Sequence, residues 1–166
     1  MKIKTTAQIL LVSGVAMGLC VSPGIAAGSG HCQDVGGGVL TNFLDPTQCA
    51  SPVGLCTDGP ATGDLRGAVG VQVLGISGNV YHVRHHWVTE SGDTIVLNDA
   101  FLTTYPTPDA NRVLADYLDG VDITGGTGRF DGAKGHISSA FGGVDLNLGQ
   151  ITLRYAGTIC FRPPSG

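Results

Sequence analysis

The segment YHVRHHW, residues 81–87, places three histidines and an arginine within five residues, a set that could bind a metal ion or move protons. If the segment is a strand, side chains alternate between faces, so His85 and His86 point apart. His82 and His86 share a face but stand four residues apart, roughly 13 Å at the rise of a strand. Ligands to one ion must each sit about 2 Å from it, so these two cannot chelate alone. A metal site would need a ligand from another strand, with His136 and Asp99 as the candidates. The same alternation places Tyr81, Val83, His85 and Trp87 on an inward face and His82, Arg84 and His86 on a solvated one. His85 is thereby an imidazole among apolar and aromatic neighbours, suited to lining a cavity.

The stretch ITGGTGRFDGAKG, residues 123–135, raises phosphate binding. A dinucleotide fingerprint needs G-x-G-x-x-G, but Asp131 stands where the third glycine belongs. A P-loop needs G-x₄-G-K-[ST], and here Gly135 follows Lys134. No helix follows to point its N-terminus at an anion. The spacing fits a strand-to-strand corner in which Gly125, Gly126 and Gly128 supply the turn and Phe130 plugs the core. The carboxylates carry little chemistry of their own: Glu90 and Asp93 flank a hairpin turn, and Asp116, Asp119 and Asp122 lack the calcium-loop pattern. No nucleophile elbow is present.

These residues need elements to hold them, and glycine spacing with β alternation supplies the elements. Glycine accounts for 27 of 166 residues, Glu90 is the sole glutamate, and no window keeps a helical apolar period. Strands are expected over 35–43, 65–74, 79–90, 94–104, 112–124, 135–146 and 149–161. The last is the clearest, with Ile151, Leu153, Tyr155, Ile159 and Phe161 on one face and Thr152, Arg154, Thr158 and Cys160 on the other. The pattern predicts an all-β domain, an antiparallel up-and-down barrel of about eight calycin-like strands, with a sandwich as the alternative. A barrel of that size has room for packed side chains or one small ligand.

The N-terminus has the order of a secretory signal: Lys2 and Lys4, an apolar run from Ile9 to Val21, then small residues with cleavage expected after Ala27. Leu19 before Cys20 argues against lipidation. Residues 28–34 then lead into a barrel domain over 35–166, exported to the periplasm or the outside. Loss of Lys2 and Lys4 leaves seven basic against thirteen acidic residues, a balance unsuited to nucleic acid or anionic lipid. Four cysteines remain, an even number that reads as disulfides in an exported chain. Of three pairings, Cys49–Cys56 with Cys32–Cys160 is favoured: Pro52 and Gly54 can turn the chain between the first pair, and antiparallel first and last strands would adjoin the second. No C-x₂₋₄-C pair suggests zinc.

At ITGGTGRFDGAKG, followed by GQITLRYAGTICF, the chain resembles the allene oxide cyclase barrel-like group, which includes plant allene oxide cyclases, dirigent proteins and many secreted bacterial proteins of unknown role. SPVGLCTDG, residues 51–59, is also similar to the bacterial members. The likeness is good over 115–161 and loose over 35–161. It implies an eight-stranded antiparallel barrel around a largely apolar cavity, which in the plant proteins takes a fatty-acid epoxide or a phenoxy radical without a cofactor. No catalytic residue of those proteins matches a position here.

The leading expectation is a barrel that binds a small apolar ligand, without cofactor or metal, with Tyr81, His85, Trp87, Tyr117 and Tyr155 as cavity residues. A cofactor-free isomerase or cyclase is the second reading, and a structural, homo-oligomerising surface protein the third.

Overall fold

A computed structural model describes residues 31–163; the expected signal sequence, its cleavage after Ala27 and Cys20 lie outside the described residues. The chain forms ten strand segments: β1 (His31–Phe43), β2 (Cys56–Ala61), β3 (Gly67–Ser77), β4 (Val80–Thr89), β5 (Thr94–Leu97), β6 (Ala100–Pro106), β7 (Arg112–Asp116), β8 (Val121–Gly126), β9 (Lys134–Asp145) and β10 (Gln150–Phe161). Every pairing is antiparallel, and β10 pairs with both β9 and β1, which closes the sheet. β4 pairs with β5 and with β6, and β9 with β7 and with β8, so each of these short couples occupies one strand position. The result is an eight-position up-and-down barrel, and closure excludes the sandwich.

Alternation places the side chains. Along β10, Leu153, Tyr155 and Ile159 are buried while Thr152, Arg154 and Thr158 face solvent. Along β4, Val83 and Trp87 are buried, and Arg84, His86 and Val88 are exposed. The inward sets from all strands merge into one core.

Four expectations about elements require correction. Residues 94–104 are two segments, broken at Asn98 and Asp99, where the Asp99 carboxylate accepts from the Arg84 guanidinium at 2.8 and 2.7 Å. Residues 112–124 are also two, because the chain turns at 117–120 with Gly120 at φ +65° and its N–H donating to Tyr117 O. Asp116, Asp119 and Asp122 therefore do not share a strand. Third, β2 was not expected: its alternation is short and carries Gly59 and Pro60, yet it pairs along its length with β3. Finally, Leu65 belongs to a single 3-10 turn, Gly63–Leu65, rather than to β3, although it is buried all the same.

The glycine segment 123–135 runs from β8 through a 3-10 turn, Gly128–Phe130, into β9. Phe130 is fully buried. A Cβ at Gly126 would sit 2.1 Å from Thr94 O and 2.6 Å from Phe130 Cβ, so glycine lets the plug close against the wall. Gly128 has φ +55° and lies against the Asp93 carboxylate. Arg129 is spent on the fold: its guanidinium lies 4.6 Å over the Phe130 ring and donates to Asp64 O at 3.4 Å.

Both disulfides form as favoured, Cys32–Cys160 and Cys49–Cys56. Bonds of this kind persist in an oxidising compartment. Cys32 faces Cys160 directly in the β1–β10 ladder. No described helix is long and apolar enough to cross a membrane.

Candidate functional site

The barrel interior divides into two compartments. Near the end formed by residues 62–66, 90–93 and 127–133, large side chains fill the lumen. Phe130 and Leu65 close it from the connections, and Trp87 and Tyr155 meet edge-to-face with ring centres 5.4 Å apart. Their polar tips are satisfied: Trp87 Nε1 donates to Leu65 O at 2.8 Å, Tyr155 Oη donates to Thr62 O at 2.9 Å, and it accepts from Leu65 N at 3.1 Å. What is left between these rings, His85 and Tyr117 is a void of about 50 Å³.

The other half is hollow. A cavity of about 290 Å³ is walled by inward residues of most strands, among them Val71, Val73, Val83, Leu102, Val113 and Leu153. Leu146, half exposed, and Leu55 stand at its mouth. The Cys49–Cys56 loop places Leu55 there. Gln72 Nε2 donates to Ala50 O at 2.7 Å, Val73 N donates to Leu55 O at 3.0 Å, and Ser51 Oγ donates to Val73 O, so the loop is pinned onto β3. Among the described residues no charged side chain lines this cavity. Its polar lining residues are Thr41, Thr57, Thr104, Tyr81 and Tyr117. Thr57 Oγ1 is buried without a hydrogen-bond partner among the described residues.

Of the residues expected to line a cavity, Tyr81 faces the large compartment, and Tyr117 walls both. His85, Trp87 and Tyr155 border the small void. Sequence reasoning missed Thr57 because it missed β2. The three threonines spaced among valines and leucines at inward positions were the available signal.

His85 and Tyr117 form a pair where the compartments meet, with His85 Nε2 2.8 Å from Tyr117 Oη and the rings tilted at 49°. Burial pushes the His85 imidazole down to about 4, against the attraction of Asp99. Burial pushes the Tyr117 phenol up. At neutral pH both are therefore uncharged, and of the two hydrogens the pair carries, one lies between Nε2 and Oη. The pair lies level with the two interruptions in the wall, since Leu97 of β5 borders the same void and Tyr117 opens the 117–120 turn.

The outward imidazoles are engaged separately. His82 Nε2 lies 3.7 Å from Asp99, beside the Arg84 pair, and its ring stacks on Phe101. Arg84 holds the Asp99 carboxyl below its ordinary range. His136 Nδ1 lies 2.8 Å from Asp122, on a different strand pair. Of the two candidate partners for a metal, Asp99 meets His82 whereas His136 meets Asp122 on another strand pair, and among the described residues no three potential ligands converge.

Comparison of the chain with protein families, curated proteins and solved structures found no match.

Proposed function

We propose that this chain is an exported barrel that binds a small, uncharged, apolar molecule in its open half. The observation that carries the reading is the cavity of about 290 Å³, near the low end of the ~300–1,000 Å³ of small-molecule sites. Burial of a ligand against valines and leucines supplies the driving force, about 25 cal/mol per Å² of apolar surface. The absence of charge on the cavity wall favours neutral molecules, since an unpaired ion loses its hydration on entry. Two disulfides favour an oxidising destination, and the signal-like N-terminus agrees with secretion or a periplasmic location. We place the chain, on its glycine-rich corner and final strand, with the allene oxide cyclase-like barrels. The test is native mass spectrometry on protein purified from its own host, paired with titration of an apolar fluorescent dye. A co-purified neutral molecule or saturable dye binding is expected. Neither appearing would end the reading.

Self-association is a second reading, favoured by one feature of the outer wall. Phe101 and Tyr105 of β6, Leu114 of β7 and Phe141 of β9 are exposed, and Tyr105 pairs directly with Leu114. A second copy of the chain fits this face. Sedimentation should then show a dimer or larger species that Leu114→Lys dissociates, and a monomer at all concentrations would dismiss it.

A further inference from the structure

We infer that the cavity takes a neutral molecule bearing one hydrogen-bond-accepting oxygen, of the ketone or ester class, and that the Tyr117 hydroxyl donates to that oxygen while His85 orients the phenol. The inference rests on the binding reading above and narrows its ligand.

It starts from an unpaired atom. His85 Nε2 is bonded to Tyr117 Oη at 2.8 Å, but His85 Nδ1 is buried with no partner among the described residues. A neutral imidazole carries its hydrogen on one nitrogen. If that nitrogen were Nδ1, a buried N–H would be left without an acceptor. Orphaned donors are rarer in native proteins than under-used acceptors, and each forfeits a hydrogen bond. Placing the hydrogen on Nε2, which donates to Tyr117 Oη, moves the unmet donor from the enclosed Nδ1 to the Tyr117 hydroxyl, where an acceptor in the bordering cavity can meet it. Tyr117 then cannot donate back to His85, and its oxygen has no other partner among the described residues. Its hydroxyl hydrogen is left over in a wall shared by the two compartments.

The walls around it are mostly ladder-paired strands, whose carbonyls are used by their neighbours. The acceptor that suits Tyr117 is thus one brought into the lumen. A carboxylate fits poorly, because no cation lines the cavity and His85 stays neutral until about pH 4. A carbonyl oxygen accepts a hydrogen bond, carries no charge and leaves the rest of the molecule apolar. His85 acts here as a positioning residue: it fixes where the phenol oxygen lies and which way its hydrogen is free to point.

Two measurements test this. The first reads the tautomer of His85 by nitrogen NMR on the whole protein at pH 7. A protonated, pyrrole-type Nε2 and a bare, pyridine-type Nδ1 are expected; the reverse assignment overturns the proposal. The second displaces an apolar dye with methyl hexyl ketone, nonane and octanoate, in the native protein and in Tyr117→Phe. Relative to nonane, the ketone should lose roughly 3- to 10-fold in affinity in Tyr117→Phe, the worth of one net hydrogen bond. Both variants' nonane affinities share any packing change, so the ratio isolates the hydroxyl. Octanoate should bind more weakly than the ketone. Equal changes for ketone and nonane refute the carbonyl contact and leave apolar binding standing, as they would if a water served the phenol. If Thr57→Val carries the selective loss instead, the donor is Thr57 and the Tyr117 assignment falls. If none of the three displaces the dye and the dye itself does not bind, the binding reading fails and this inference with it.

Discussion

The two ends of the barrel share the same eight wall positions, yet one is solid and the other hollow. At the solid end the connections fold inward and bring Leu65 and Phe130 over a layer that already contains Trp87 and Tyr155. At the hollow end the inward positions carry mainly Val, Leu, Ile and Thr, with Phe43, Tyr81 and Tyr117 among the lining. The wall radius is set by strand number and stagger, so it is common to both ends. What differs is side-chain volume: Leu65, Phe130, Trp87 and Tyr155 together fill one end, and the more numerous valines and threonines leave the other open. A barrel can thus pack one half as a core, for stability, and leave the other for a guest.

That contrast can be broken or sharpened by measurement, and the largest effect concerns the staples. Cys32–Cys160 ties residues 128 apart at the solid end, and Cys49–Cys56 ties residues 7 apart at the rim. By loop-closure entropy, replacing the first pair with alanine should cost about 5 kcal/mol and replacing the second about 2 kcal/mol. Urea denaturation of both variants checks the ranking; a reversed order would mean the rim is the better-constrained end.

Next, Phe130→Ala should cost about 3–5 kcal/mol, because it opens a cavity in a packed layer. Val113→Ala, on the hollow wall, should cost about 1 kcal/mol, since it only enlarges existing space. Equal costs in thermal or chemical unfolding would dissolve the distinction between the ends.

The boundary between the halves should report on pH. His85 titrates near 6.5 when unfolded and at about 4 when folded, so the unfolded chain takes up the proton first. Its contribution is complete above about pH 6.5, declines as pH falls, and is lost by about pH 4, a total of about 3 kcal/mol. Unfolding curves for the native chain and His85→Gln between pH 7 and 4 should converge on acidification. Parallel curves would show that His85 is not held neutral by burial. The smallest effect belongs to the rim: Leu148 is 69% exposed, and Leu148→Ser should leave stability within about 0.5 kcal/mol.

Much of this was legible in order. The strict alternation of β10 gave its buried and exposed faces, and the failed phosphate spacing of 123–135 left a corner with Phe130 as its plug. The inward assignment of Tyr81, Val83, His85 and Trp87 needed only the period of a strand. β2 was harder to see, because six residues with Gly59 and Pro60 hold too little alternation to stand out from a loop. The breaks at Asn98–Asp99 and at 117–120 were hidden for the opposite reason: apolar residues flank each closely on both sides, and only burial shows that the inward phase slips by one residue across the first. The first break is held by a contact from another strand, the Arg84 guanidinium on Asp99, and the second by the local turn at Gly120.

The sequence by itself determined the strand class, the in–out face of each clear strand, the glycine corner and an even set of cysteines able to pair, since each depends on local period, local backbone freedom or cysteine count. Only the tertiary structure decided that Tyr117 meets His85, that Thr57 faces the lumen, and that Trp87 and Tyr155 spend their polar tips on Leu65 and Thr62. Those outcomes depend on register between strands distant in sequence, and on how much volume each layer of the barrel leaves after its side chains are packed. Periodicity along one strand carries no information about either quantity.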